Sequence, residues 1–322
     1  MAVTTQTGLS ARRPWWTVQI ASMALTLLVL LLITFLLSRL APIDPVLQVA
    51  GDHASLATYS KISQELGLDK PLLQQFADYL LRLLHGDMGI SRSTAQPVLE
   101  DLRRTFPATV ELATCAMLLS ACGGLLLALL SVVKPGNWLD NLVRLVSLLG
   151  YSVPVFWMGL LGLLLFYANW HWSAGPGVLD DAYLYTLDRP TGFILLDTLL
   201  SGDREMFINA CQHMWLPVVI LALLSMAGIT RLLRAALLEE CGKEYVVLAR
   251  AKGVGRARLL LRHVLPNVLG TLVTILALAY TSLLEGAVLT ETVFSWPGIG
   301  RYLTTALFAS DTPAILGATL LI

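Results

Sequence analysis

Long apolar runs separated by short polar stretches dominate the chain. About 20 apolar residues rising 1.5 Å each cross a hydrocarbon core of about 30 Å. Runs of that length lie at about Val18–Leu40, Ala108–Val133, Leu142–Ala168, Leu216–Leu238 and Val264–Thr290. A sixth begins near Pro313 and is still wholly apolar at Ile322. A natural end there would strand a half-helix in lipid with unsatisfied carbonyls, so a continuation of the natural chain is expected. The predicted fold class is all-α: a polytopic transmembrane helical bundle of six spans, the sixth truncated. Residues 1–17 form an N-terminal segment and residues 18–322 a single transmembrane domain. Arg12, Arg13, Trp15 and Trp16 precede the first run as an interfacial anchor. That run is too long for a signal peptide, and no small-x-small cleavage site follows it, so it is expected to remain as a helix.

Basic residues near span ends set the orientation. Eight of the 22 lie from Arg231 to Arg262, at the end of the fourth run and in the loop after it: Arg231, Arg234, Lys243, Arg250, Lys252, Arg256, Arg258 and Arg262. This loop is expected on the cytoplasmic side, which puts the N-terminus and the short loop from Lys134 to Asn141 inside as well. The longer segments, about 41–107 and 169–213, are then outside. In the first of them Leu72, Phe76, Tyr79, Leu80 and Leu83 recur at helical spacing after Pro71, predicting an amphipathic helix that packs on the protein's own outer surface, forms part of a docking platform for an external partner, or does both.

Composition narrows the class. Hydrophobic residues make up 56% of the chain and charged residues 14%, with no net charge, which argues for a membrane protein and against a nucleic-acid binder. The four cysteines have no C-x-x-C spacing and read as small apolar fillers, giving neither a disulfide framework nor a metal site. No G-x-x-x-x-G-K-[ST] loop is present to cradle ATP phosphates. A membrane-embedded enzyme would need an H-E-x-x-H pair, a G-x-S-G serine or a G-x-G-D acid inside a span, and none occurs. A passive channel would not explain the order within the basic loop.

That loop, about 237–263, is the polar segment with the most internal pattern. Residues 237–249 are good helix formers, Gly253 and Gly255 interrupt them, and a second short helix from Arg256 leads back to the membrane near Pro266. Two short helices at an angle make a knob. Gly253, nine residues, then His263-Val264-Leu265-Pro266 resembles the signature loop of the permease subunits of bacterial ABC importers. Val247-Leu248-Ala249 stands where the general signature has Glu-Ala-Ala, and His263 replaces an aliphatic residue. Tyr245-Val246-x-x-Ala249-Arg250-Ala251-Lys252-Gly253 is similar to the peptide and nickel branch. Further stretches resemble the dipeptide permease subgroup: Gly67-Leu68-Asp69-Lys70-Pro71, His85-Gly86-Asp87-x-Gly89-Ile90-Ser91, Pro107-Ala108-Thr109-x-Glu111-Leu112, Gly150-Tyr151-Ser152-x-Pro154-x-Phe156-Trp157 and Thr290 to Arg301. Thr191-Gly192-Phe193 with Asp197 points the same way and also resembles Sap-type permeases.

The resemblance implies a non-catalytic half of a translocation path in the bacterial inner membrane. Its expected partners are a second permease, two cytoplasmic ATPase subunits, an external solute-binding protein and membrane lipid. This chain itself would bind no cofactor; ATP and Mg would act in the ATPase subunits. Dipeptides or short peptides are the expected cargo, with nickel chelates, polyamines and antimicrobial peptides as alternatives on the same architecture. The implied ATPase-coupling residues are Glu244, Tyr245, Ala249, Arg250, Ala251, Lys252, Gly253, Leu265 and Pro266. Gly253 would allow a tight turn, Tyr245 would be an apolar anchor, and Arg250 and Lys252 would meet acidic rim residues or lipid headgroups.

Candidates for the translocation path are Glu285, Ser152 and Pro154. Glu285 is an ionisable group inside a span, where it is costly unless it faces protein or water. It reads either as a partner for a cationic cargo group or as an interhelical hydrogen-bonding group. Pro154 with Gly150 is expected to kink the third span. Glu111 reads as a helix N-terminal partner. His171 and His213, about forty residues apart with no third ligand, read as solvated or capping residues. The segment from Ser295 to Arg301 reads as a turn at the outer mouth, with Trp296 and Tyr302 at the interface.

Overall fold

The computed structural model describes residues 15–40, 46, 55–65, 67–133, 135–138, 140–143, 145 and 153–321. In chain order the helices are α1 (Trp15–Leu40), α2 (Leu56–Glu65), α3 (Leu72–Leu84), α4 (Val98–Val133), α5 (Val155–Gly162), α6 (Asp181–Leu184), α7 (Ile194–Leu200), α8 (Arg204–Cys241), α9 (Glu244–Ala251), α10 (Arg256–Leu259), α11 (Leu265–Val293), α12 (Ile299–Phe308) and α13 (Thr312–Leu321). π-helical turns extend α5 over Leu163–Asn169 and join α10 to α11 over Leu260–Val264. Among the described residues there is no β-strand, only an isolated bridge between Ile90 and Pro97.

Four described helical stretches are long and apolar enough to cross a membrane: Trp16–Leu36, Val98–Val133, Arg204–Cys241 and Arg256–Val293. They contain the second, fourth and fifth predicted runs and overlap most of the first. Shorter apolar helices, Val155–Asn169 and Thr312–Leu321, fall on the third and sixth. Gly150 and Ser152 lie outside the described residues. The helices are longer than the apolar runs because polar first turns belong to them. Asp203 caps α8, accepting from the N–H groups of Glu205 at 2.9 Å and Met206 at 3.2 Å.

The chain forms two compact units, residues 1–99 with 310–321, and residues 100–309. In the first, Leu31 and Phe35 of α1 pack on Phe76 of α3, with Tyr79, Leu80, Leu83 and Leu320 around them. The Phe35 ring lies 5.4 Å from Phe76 and 5.9 Å from Tyr79. The predicted amphipathic face of α3 is therefore a packing face, except that Leu72 is exposed. The chain reverses after α3 at Gly86, whose φ of +78° suits a residue without Cβ. Asp87 accepts the Gly89 N–H at 2.9 Å. Buried Asp311 accepts from the Ser91 hydroxyl at 2.7 Å and the Ser93 N–H at 2.9 Å, fastening that loop to the start of α13.

In the second unit α8 is the central element. Ile229, Leu233 and Leu237 of α8 share a core with Ala128 and Val132 of α4 and with Val264, Val268, Leu272 and Ile275. Small residues let α4 and α8 approach: a Cβ on Gly124 would stand 2.8 Å from Ile229, and the Ser120 hydroxyl reaches the Ala222 carbonyl at 3.0 Å. At the other end of the unit, buried carboxylates hold short helices against long ones. Glu111 of α4 accepts the N–H groups of Ile194 at 2.7 Å and Leu195 at 2.8 Å, the first donors of α7. Glu291 of α11 accepts the Gly300 N–H at 2.7 Å, the Arg301 N–H at 3.2 Å and the Thr109 hydroxyl at 2.6 Å. Thr109 in turn accepts the Ile299 N–H at 2.8 Å. A Cβ at Gly298 would overlap the Glu291 carboxylate, so glycine is required there.

Two expectations are corrected. Trp296 is fully buried, its indole N–H donating to the Ala108 carbonyl at 3.0 Å, rather than lying at an interface. An indole buries a large apolar area once its single donor is satisfied. Pro154 does not kink a helix. It precedes α5 with φ −62° and ψ 137°, and its ring, with no N–H to offer, starts the helix instead.

Glu291→Ala would orphan the buried donors of α12 and cost about 2–4 kcal/mol. It should lower the thermal midpoint of the detergent-solubilised protein, and Glu291→Gln, which keeps an acceptor oxygen, should recover part of the loss. An unchanged midpoint in the alanine variant would remove the clamp from the account.

Candidate functional site

The loop between α8 and α11 folds as two short helices over the ends of the long ones. Helix α8 stops at Gly242, and Lys243 opens α9 in extended geometry. Val246, fully buried, inserts among Leu237, Leu259, Leu260 and Val264, so one face of α9 is fixed. Helix α9 ends in a Schellman motif: the Gly253 N–H reaches the Arg250 carbonyl at 3.0 Å and the Val254 N–H reaches the Ala249 carbonyl at 3.2 Å. Gly253 holds φ +83° with open space where a Cβ would stand, so backbone conformation and not crowding demands glycine.

Tyr245 ties the knob to both long helices. Its hydroxyl donates to Glu240 at 2.6 Å and accepts from the Asn267 amide at 2.9 Å, while that amide also donates to the His263 carbonyl at 2.8 Å. Lys243 pairs with Glu240 at 2.6 Å. The hydrogen bond it donates to Glu240 holds the Lys243 ammonium above its ordinary pKa range. Burial, and then the bond to Glu240, push the Tyr245 phenol upward. Tyr245 is thus a polar clasp within the chain, the residue as a whole being 38% exposed. The large apolar residues of α9 that are most exposed are Val247 and Leu248, at 54% and 57%.

The remaining loop residues divide by face. Ala249 and Leu265 pack against the buried core, whereas Glu244, Arg250, Ala251, Lys252 and Pro266 are exposed. Pro266 is the second residue of α11 and removes a donor where its ring would crowd the preceding turn. The π-helical turn over Leu260–Val264 widens the helix just there. The surface presented is a small apolar patch of Val247, Leu248 and Ala251, bordered by Glu244, Arg250 and Lys252.

The path candidates are separate from this loop. Glu285 is exposed on α11 and has no hydrogen bond or ion pair among the described residues. Pro154 begins α5. His213 is buried, not solvated: its ring lies 2.9 Å from the Gly175 carbonyl and 3.2 Å from Asp180, fastening the turn before α6. His171 is exposed. Among the described residues no group of three or more His, Cys, Asp or Glu side chains is arranged to hold a metal.

Sequence reasoning missed two features. The Glu240–Lys243 pair was readable from its i,i+3 spacing at a helix end. The bidentate pair of Arg234 with buried Asp140, at 2.8 Å for each contact, joins positions 94 apart and left no local signal.

The described residues form long apolar helices of membrane-spanning length with an ordered polar knob between two of them. The comparisons with known proteins give the family. The family described as "Binding-protein-dependent transport system inner membrane component" matches residues 121–322, and its N-terminal membrane component matches residues 16–113. The chain is 47% identical over 288 residues to the probable D,D-dipeptide transport system permease protein DdpB of Escherichia coli (strain K12), covering 88% of this chain and 84% of that protein. It is 42% identical over 292 residues to the di/tripeptide transport system permease protein DppB of Pseudomonas aeruginosa, covering 90% and 86%. It is 39% identical over 293 residues to the dipeptide transport system permease protein DppB of Escherichia coli (strain K12), with the same coverage. The chain belongs to the family of inner membrane components of binding-protein-dependent transport systems, and it is a non-catalytic permease subunit.

Gly253→Ala keeps the side chain small but forces a Cβ into the left-handed region, at a cost of about 1 kcal/mol. Amide exchange of residues 248–254 should quicken in that variant, while exchange in α8 and α11 stays unchanged. Equal protection in both proteins would show that the Schellman turn does not hold the end of α9.

Proposed function

We propose that this chain is one permease of an ATP-driven importer of dipeptides or short peptides, coupled through its knob to a cytoplasmic ATPase. The supporting observation is the construction of the knob. A fixed helix, clamped by Val246 and Tyr245, presents Val247, Leu248 and Ala251 with a charged rim of Glu244, Arg250 and Lys252. An apolar centre with a charged rim is the make-up of a protein contact. The relatives' names, all peptide transport permeases, support the cargo class.

In this reading a second permease completes the path, two ATPase subunits bind and hydrolyse ATP with Mg, and a solute-binding protein delivers cargo from outside. The N-terminus and the loop of about 237–263 face the cytoplasm, following the positive-inside rule. Segments of about 41–107 and 169–213 face outward, and residues 18–322 act as one permease domain. Closure of the ATPase pushes α9. Because Glu240, Tyr245 and Asn267 bridge α8, the knob and α11, the push passes to both long helices as rigid-body rocking. Glu244, Ala249, Arg250, Ala251, Lys252, Gly253, Leu265 and Pro266 contribute to the contact or to its shape. Glu285, Ser152 and Pro154 belong to the translocation path.

The reading is tested in cells carrying the complete importer. Leu248→Asp, which plants a charge in the apolar centre, should abolish uptake of labelled dipeptide and release the ATPase during purification, while the permease still inserts. Gly253→Pro, incompatible with φ +83°, should do the same. Wild-type uptake by both variants would sink the coupling role. Uptake that persists without any ATPase would make the chain a passive conduit.

A further inference from the structure

Viewed along its axis, α11 carries three unlike faces. One packs into the core through Val268, Leu272, Ile275 and Leu283. A second, exposed and apolar, carries Leu269 and Val273. The third runs the length of the helix through Asn267, Thr271, Thr274, Thr281, Glu285 and Thr292, every one of them exposed in the chain by itself. At 100° per residue these six fall within about 40° of Glu285, whereas Leu269 and Val273 lie roughly 120–160° away. Leu278 and Leu289 are the apolar members of the same stripe.

The chemistry of that stripe is wrong for lipid. Glu285 is eight residues from Val293, about 12 Å below the end of the helix, and about 30 Å from Leu265. A glutamate side chain is too short to reach an interface from there, and a carboxylate facing hydrocarbon is costly. The threonines are placed to be wetted: Thr274, Thr281 and Thr292 donate to the carbonyls four residues back at 3.2, 3.2 and 2.9 Å. The remaining lone pairs of exposed Thr274 and Thr281 are left for water or cargo, whereas the Thr292 oxygen also meets the Thr304 hydroxyl at 3.0 Å. At its lower end the stripe reaches Asn267, which holds the Tyr245 hydroxyl of the knob.

Resting on the permease reading above, we infer that this stripe of α11 is a wall of the water-filled path, and that Glu285 is its cation-selecting group, engaging the ammonium of a passing peptide. The hydroxyls offer exchangeable hydrogen bonds to a peptide backbone, and the single carboxylate offers a transient ion pair at one depth. Binding at several weak sites lets cargo leave as readily as it enters.

The test uses the assembled importer in membrane vesicles, with Cys115, Cys122, Cys211 and Cys241 replaced by alanine. Single substitutions Thr274→Cys, Thr281→Cys and Thr292→Cys sample the stripe, and Leu269→Cys and Val273→Cys sample the apolar face. Membrane-impermeant thiol reagents, one cationic and one anionic, are the probes. Stripe positions are expected to react and apolar-face positions not to. At Thr281→Cys, one turn from Glu285, the cationic reagent should react about tenfold faster relative to the anionic one than it does when Glu285→Gln is added. A stripe that is unreactive in the importer but reactive in the isolated chain would make it a contact with the second permease and overturn the proposal. A stripe unreactive in both would also overturn it. A charge preference that survives Glu285→Gln would remove the selecting role. ATP-dependent uptake by the cysteine-free parent is measured alongside, so failure of the coupling reading shows there and not in the labelling pattern.

Discussion

Backbone N–H and C=O groups that leave water must find partners, and this requirement shapes the molecule wherever a helix begins or ends away from solvent. Three buried carboxylates answer it. Glu111 takes the first donors of α7, Glu291 those of α12, and Asp311 fastens the loop of Ser91 and Ser93 to α13. Each reaches across a sequence gap to a segment that could not fold alone, so a local backbone need becomes a tertiary link. Sequence-distant stretches, Pro107 to Glu111, Thr191 to Asp197 and Thr290 to Arg301, meet because one supplies the acceptor another requires.

The same logic at the other end of the second unit yields a finger instead of a cap. Helix α9 is short and would not persist by itself in water. Burial of Val246, the Schellman turn at Gly253 and the shared bonds of Tyr245 hold it in one pose. Rigidity matters for the proposed role, because a loose loop would absorb a push that a fixed one transmits. What is exposed on α9 after these demands are met is apolar at the centre and charged at the rim, a surface left available for a partner.

Within α11 a single helix serves three environments. Its packed face follows from the small and branched residues opposite α8, its apolar face suits lipid, and its threonine stripe with Glu285 suits neither. Hydroxyls bonded to their own helix carbonyls cost little in a span, which is why such a stripe can exist without breaking the helix.

Helical class, the apolar runs, the basic loop and the likeness to importer permeases were legible in the sequence, because apolar length and charge near span ends are local properties. The two-helix knob was legible too, through Gly253 and Pro266. Tertiary structure alone decided that Trp296 is core and not interface, that Pro154 starts a helix rather than bending one, and that Tyr245 spends its hydroxyl inside the chain. Those outcomes depend on which distant acceptor or cavity each group meets: the Ala108 carbonyl for the indole, Glu240 and Asn267 for the phenol. A one-dimensional pattern records how apolar a residue is and how often it recurs, but not which partner lies across the fold.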